Sequence, residues 1–460
     1  MILDESEVRE DADILGGGKW DRERWWHRLI QVCRRWRYLL LDSVFHLQVS
    51  LVCARGSPVA DMLAHSPPTI PLIIDHFDDR YEDLTAEDEK GILLALQHRH
   101  RVRRIRLLKP TPILQKLIIA LDGEFPILEF LLIWHQRYHW PVTEPIENLN
   151  LPESFRAPHL RHLTLKNFAT PIESPQLTTM GNLVTLYLTK IPFSAHFHPN
   201  TLLQRLSLMP QLEVLWTGFN FSHDVETQLL RTPIVTQVTL PNLYWLGFLG
   251  SSAYLEALLP SVTAPLLKRL RIDFFYEMIY SVPHLQQFMN TARNVHIKTV
   301  TLHFSDYYLW VLAYPHMDAR IQNLDMTFGG MCLDWQIVSA AQIFHALSTA
   351  FSVVENLTLN YNRRHMLPDW NNDADRIHWR ELLGPFGKVK NLSMDDELVE
   401  QLSRALQPGE EESPTELLPK LQRLSYSGIY ASRNAFTQFI DARQKAGLPI
   451  TVHNHGLFHK

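Results

Sequence analysis

The sequence has little cysteine: three residues in 460, Cys33, Cys53 and Cys332, and no C-x-x-C pair. That excludes a disulfide framework and a cysteine zinc site, and it suits a reducing compartment. Long apolar runs are missing too. The most apolar window, residues 114–134, is broken by Lys116, Asp122, Glu124, Pro126 and Glu129, too often for a membrane-spanning helix. The amino terminus, MILDESEVREDAD, is acidic and has neither the basic start nor the apolar run of a secretory signal. No charge sign dominates: 44 Lys and Arg against 49 Asp and Glu give a net charge of -5, no global reason to expect nucleic acid or an anionic membrane as partner. These absences point to a cytoplasmic or nuclear protein.

Catalytic signatures are equally scarce. No G-x-S-x-G elbow occurs. Gly16-Gly17-Gly18-Lys19 lacks phosphate-loop spacing and has Trp20 where the magnesium-binding hydroxyl belongs, so it reads as a linker. His135 and His139 have a zinc-compatible spacing without an intervening glutamate, and read as a surface loop. His453, His455 and His459 read as a frayed tail. The expectation is a protein that is not an enzyme and holds no metal or cofactor.

What the chain does have is apolar material, 46% of its residues, and a repeat. Segments of the form L-x-x-L-x-L, with other apolar residues substituting, start at Val102, Leu128, Leu160, Leu183, Leu212, Leu243, Leu267, Ile297, Ile321, Val354, Val389 and Leu421. Eleven steps separate the central residues Ile105 and Leu424, a mean period of about 29, at the upper end of the range for leucine-rich repeats. In each segment the fourth and sixth residues point the same way from a strand and fill a core, the first anchors the turn, and the residues between face the other side. One unit cannot bury its own apolar face, so neighbours must stack. Between strands lie helix-compatible stretches such as Asp334 to Ala350, where Ile337, Ala340, Ala341, Phe344 and Leu347 keep helical spacing. The predicted fold class is α/β: a leucine-rich-repeat solenoid with a curved parallel sheet on its concave side and helices and loops outside.

Strand parity puts Arg104, Arg106, His162, Thr164, Tyr187, Trp245, Arg269, Arg271, Asp273, Asp325, Asn360 and Asp395 on the concave face. Of these, Arg104, Arg106, Tyr187, Trp245, Arg271, Asp273 and Asp325 are the candidate substrate contacts. An exposed Tyr and Trp beside arginines have the composition of a binding hot spot. A register slip of one residue would reverse every assignment, and the loop tips are the alternative surface. The basic run from His98 to Lys109 has two readings. Its arginines form an anion site for an acidic or phosphorylated segment, or they lie on a solvated strand and pair with Asp78, Asp79, Glu82 or Asp83.

Ahead of the repeat, Trp25 to Leu51 begins as a helix with a wide apolar face. Trp25, Leu29, Val32, Trp36 and Leu39 form one stripe, and Trp26, Ile30, Cys33 and Leu40 form the next. The string Val32-Cys33-Arg34-Arg35-Trp36-Arg37, followed by Phe45-His46-Leu47, resembles the second half of an F-box as found in a large fungal family of F-box proteins with leucine-rich repeats. Residues 51–58 leading to Pro71-Leu72-Ile73-Ile74, and the later run from Pro283 to Met289, are similar to the same family. The Leu-Pro pair and first amphipathic helix that normally open an F-box are absent from the chain as given, which starts MILDE.

The resemblance implies a partial F-box-like segment over residues 25–66, after a flexible lead-in (1–24) and before an irregular repeat solenoid (67–460). It implies a non-enzymatic substrate-recognition subunit of an SCF-type ubiquitin ligase. Its partners would be a Skp adaptor, the cullin-type ligase and an unknown protein substrate, with no nucleic acid or membrane. Trp25, Leu29, Val32, Cys33 and Trp36 would pack the F-box remnant or touch the Skp adaptor. The alternative is a leucine-rich-repeat interaction scaffold without ligase coupling. An exposed or repacked edge at Trp25 or Trp26 would mark a docking helix, and full burial a capping helix.

Overall fold

The computed structural model describes residues 32–36, 50–77, 84–109, 111–135, 149–169, 172–174, 177, 179–220, 230, 232–277, 279–292, 294–305, 307–330, 333–361, 373–407, 416–427 and 435–454. The fold is mixed α/β, with helices accompanying mostly parallel sheets, and the chain divides into two compact units, Met1–Asn220 and Phe221–Lys460. In the first, β1 (Leu51–Ala54), β2 (Leu72–His76), β3 (Val102–Lys109), β4 (Phe130–His135), β5 (His162–Lys166), β6 (Thr185–Ile191) and β7 (Val214–Phe219) pair in chain order, every pair parallel.

The second unit contains β8 (Val238–Thr239), β9 (Trp245–Gly250), β10 (Val262–Thr263), β11 (Arg269–Phe274), β12 (Thr299–Phe304), β13 (Tyr308–Tyr314), β14 (Leu324–Gly329), β15 (Asn356–Tyr361), β16 (Asn391–Asp395), β17 (Arg423–Ser427) and β18 (Thr451–Asn454). Strands β8 and β10 form a separate parallel pair. The others run in the spatial order β9-β11-β14-β13-β12-β15-β16-β17-β18.

Each of the twelve leucine-type segments contains a strand, and in ten of them it begins at the third residue. The first residue makes the turn instead. The N–H groups of Leu128, Leu160, Leu183 and Leu212 donate to the carbonyls of Phe125, Ala157, Met180 and Met209, each three residues earlier, at 3.1–3.3 Å. That tight turn drives the leucine side chain inward, and all four are fully buried. The carbonyl of the second residue then accepts twice. The Glu129 oxygen takes the N–H groups of Arg161 (2.9 Å) and His162 (3.0 Å), that of Arg161 takes Val184 (2.8 Å) and Thr185 (3.0 Å), and that of Val184 takes Glu213 (2.8 Å) and Val214 (3.0 Å). The pattern recurs in the second unit from Lys298 to Glu355 and Asn356, from Glu355 to Lys390 and Asn391, and from Lys390 to Gln422 and Arg423. A carbonyl has two lone pairs, so one atom fixes the register of the next strand twice over.

In-register pairing lines the fourth and sixth residues into continuous buried rows: Ile105, Leu131, Leu163, Leu186 and Leu215 in the first unit, and Leu357, Leu392 and Leu424 in the second. Helices cover these rows. Phe248 stacks on Tyr254 of the helix Ser252–Leu258 (5.9 Å), and Phe304 meets Trp379 of the helix Asp373–Leu383 (5.8 Å). Neighbouring elements also cap one another. The Glu256 carboxylate accepts from the N–H groups of His284 (2.7 Å) and Leu285 (2.8 Å) at the start of the helix Pro283–Thr291, which has no side-chain cap of its own.

The helix Val59–His65 ends at Ser66, and Asp334 to Ala350, helix-compatible in sequence, is covered by the helices Leu333–Ala346 and Ser348–Phe351. Three expectations are corrected. The segments at Ile297 and Ile321 are not consecutive strands of a parallel array, because β13 runs antiparallel between β12 and β14, and β14 rather than β12 pairs with β11. Ile321 consequently anchors nothing and is 57% exposed. His453 lies in β18, paired with β17, not in a frayed tail, while His455 and His459 fall outside the described residues. His135 ends β4 as a buried residue rather than sitting in a surface loop, and His139 is outside the described residues.

Leu160→Ala should therefore cost about 2–5 kcal/mol by opening a cavity at a turn anchor, whereas Ile321→Ala should change stability by less than about 0.5 kcal/mol. Urea midpoints of the two variants check this, and equal shifts would contradict the assignment of Leu160 as an anchor.

Candidate binding face

With the apolar rows turned to the helices, the alternate residues of each strand line the opposite face. Neighbouring strands stand only about 4.8 Å apart, so large side chains in register cover one another. In the first unit Tyr187 is in register with Trp216, their rings stack at 5.3 Å and 15°, and both are buried. Arg106 is buried as well. Its Nη1 lies 3.3 Å from Asp75 Oδ2, and its guanidinium carbon is 4.8 Å from the centre of the Phe77 ring. Arg103 Nε meets Glu129 Oε2 at 2.9 Å. Arg104 is half-buried between Ile73 and Phe130 in register. Further along this face, Lys166 Nζ sits 3.9 Å above the Trp134 ring.

An exposed hot spot of Tyr, Trp and arginines is therefore not what these positions form. Tyr187 is covered by Trp216, and Trp245 is buried with the Arg269 guanidinium 5.1 Å from its ring. Of the basic run, Arg103 and Arg106 pair with carboxylates at the entry to β4 and on β2, while Asp78, Asp79, Glu82 and Asp83 lie outside the described residues.

In the second unit the structure brings Arg271, Asp273 and Asp325 into one cluster. Arg271 Nε is 3.4 Å from Asp273 Oδ2 and 3.5 Å from Asp325 Oδ2. Asp325 Oδ1 also accepts from Trp310 Nε1 at 2.6 Å. Beyond Trp310 the network runs on: its ring is 5.7 Å from that of His303, and His303 Nδ1 lies 3.3 Å from Asn360 Nδ2. At the next strand Asp395 Oδ2 accepts from the Tyr361 N–H at 2.9 Å. Alongside, Asn391 Nδ2 donates to Asn356 Oδ1 (2.7 Å), and Asn356 Nδ2 to Thr299 Oγ1 (3.2 Å). Between these two lines Thr301, Thr358, Ser393 and Ser425 form a row of half-exposed side chains, in register across β12, β15, β16 and β17. This face carries dense hydrogen-bonding chemistry and two carboxylates on one arginine. Among the described residues no group of three His, Cys, Asp or Glu is placed to hold a metal.

Trp310 lies on β13, outside the twelve segments, and His303 on β12 is the residue just past the segment that starts at Ile297. Every residue of β13 is apolar, so its sequence does not show which side chains face in: Leu309, Val311, Leu312 and Ala313 are buried, and Tyr308, Trp310 and Tyr314 are half-exposed. Of the amino-terminal candidates, Trp25 and Leu29 lie outside the described residues, as does Trp26. Val32, Cys33 and Trp36 are exposed, Val32 by 64% and Trp36 by 46%. No helix among the described residues is long and apolar enough to cross a membrane. No protein-family model matches the sequence, and no curated protein matches it.

Burial holds His303 below the ordinary imidazole value of 6.5, with the Asp395 carboxylate pulling the other way. A histidine depressed on folding contributes stability above its unfolded pKa, and loses it as pH falls through the folded one. Melting temperature should therefore drop between about pH 7.5 and 5.5, and His303→Gln should flatten that slope. The slope will not vanish, because burial depresses His162 and His196 in the same direction. An unchanged slope in the variant would contradict the burial argument.

Proposed function

We propose that this chain is a non-enzymatic substrate-recognition subunit of an SCF-type ubiquitin ligase. In this reading residues 25–66 are a partial F-box-like segment that docks on a Skp adaptor, and the strands beyond form a leucine-rich-repeat solenoid whose sheet face holds a protein substrate. Catalysis belongs to the ligase partners, and the complex works in the cytoplasm or nucleus. The observation that carries the adaptor half is the exposure of Val32 and Trp36 in the Cys-Arg-Arg-Trp string, since large apolar side chains left in water mark a surface that a partner covers. The repeat half is supported by the recurring turn, the doubly accepting carbonyl and the continuous apolar rows, which give each unit a face that only its neighbours bury.

Co-expression with a Skp adaptor followed by gel filtration tests the proposal. The two chains should co-elute, and Trp36→Ala should weaken the complex about tenfold, the usual cost of removing a tryptophan anchor. If the parent chain does not co-elute, the adaptor reading falls, and a leucine-rich-repeat scaffold without ligase coupling takes its place.

A further inference from the structure

The backbone device that sets register in the second unit also sets the charge of one rim of its sheet. Lys298, Glu355, Lys390 and Gln422 hold one another in sequence: the Lys298 oxygen takes the Glu355 N–H (2.8 Å), that of Glu355 takes Lys390 (2.8 Å), and that of Lys390 takes Gln422 (2.9 Å). These residues therefore follow one another at strand spacing along the rim where β12, β15, β16 and β17 begin. The turns leading into β16 and β17 add Lys388 and Lys420, and Arg423 opens β17 in register with Asn391. Residues 296–299, 353–356, 387–391 and 419–423, which form this rim, hold the five cations Lys298, Lys388, Lys390, Lys420 and Arg423 against one carboxylate, Glu355.

Glu355 answers only part of that charge. Its Oε2 lies 2.9 Å from Lys390 Nζ. The hydrogen bond and charge of Lys390, joined by the charges of Lys298 and Lys388, hold the Glu355 carboxyl below its ordinary value, so three lysines act on one carboxylate. Lys298, Lys388, Lys420 and Arg423 are exposed, and none of these four side chains pairs with a carboxylate among the described residues. A lone surface lysine needs no partner, but here four unpaired cations stand in neighbouring segments of a chain whose net charge is -5. Such a local excess attracts the opposite charge, while the net charge of the whole chain repels a long polyanion. Four strands span three spacings of about 4.8 Å, roughly 14 Å, the length of four or five extended residues at about 3.3 Å each. We propose that this rim binds a short acidic segment of a protein partner, whose Asp and Glu carboxylates lie against Lys298, Lys388, Lys420 and Arg423. This inference rests on the reading of the chain as a protein-binding repeat array and specifies the chemistry of what is bound.

A fluorescein-labelled decaglutamate peptide, titrated with the full chain by fluorescence anisotropy at low salt, tests it. The parent should bind the peptide, and binding should weaken as salt screens the charges. Lys298→Gln, Lys388→Gln and Lys420→Gln should each lower affinity about threefold, the scale of one exposed ion pair, and the triple variant about thirtyfold. Glu355→Gln should raise affinity about threefold by removing the competing carboxylate, a gain that a damaged fold would not produce. Lys116→Gln, which changes net charge equally from the first unit, should leave affinity unchanged. Equal affinity in the parent and the triple variant, or equal losses in Lys116→Gln and Lys388→Gln, would overturn the rim site. So would tighter binding of a ten-nucleotide oligothymidylate or of phosphatidylserine vesicles, since the rim would then serve another class of partner. If the parent does not bind the acidic peptide at low salt the rim proposal falls, while co-elution with the Skp adaptor separately decides the adaptor reading.

Discussion

From β4 to β7, and again along β12, β15, β16 and β17, one backbone atom sets the architecture: the carbonyl of the residue after the leading apolar residue, which accepts from two consecutive N–H groups of the next segment. A β-ladder alone leaves a strand free to slip, and a slip of one residue would turn every side chain to the wrong face. Two donors converging on one oxygen remove that freedom at the point where the strand begins. The buried leading residue is the partner of this constraint, because its turn delivers the second residue's carbonyl to the strand edge. Backbone geometry and apolar burial thus fix the same register independently, and this agreement lets so irregular a sequence pair in order from β4 to β7.

The narrow spacing that register imposes shapes the opposite face. Side chains there cannot stand apart as they do on a helix. Bulky neighbours merge into stacked pairs such as Tyr187 with Trp216, and charged ones into compact clusters such as Arg271 with Asp273 and Asp325. The first unit resolves this crowding with rings and cations, as in Lys166 over Trp134. The second resolves it with hydroxyls and amides, leaving a wetter and more polar surface.

The strands were legible because their signal is local. All twelve segments named from the leucine pattern contain a strand, and parity put Asp273, Asp325 and Arg271 on one face. Exposure was not legible, since it depends on the neighbour in the next strand: nothing within the β6 sequence says that Trp216 will cover Tyr187. Strand order was hidden for a related reason. Ile321 to Met326 has the pattern of an ordinary repeat, and only the short turn from β12 to β13 distinguishes a hairpin from the next parallel unit. Trp310 was lost with that strand.

The out-of-order placement of β14 also bears on how the chain is made. From β1 to β7 each new strand adds to the one synthesised before it, so a chain growing from its amino end can extend the sheet as it emerges. At β11 that progression stops. Its free edge is filled by β14, which leaves the ribosome only after β12 and β13, and β12 must hold a place two strands away until then. Closure across this stretch is long-range by construction, the kind of contact that sets the pace of folding.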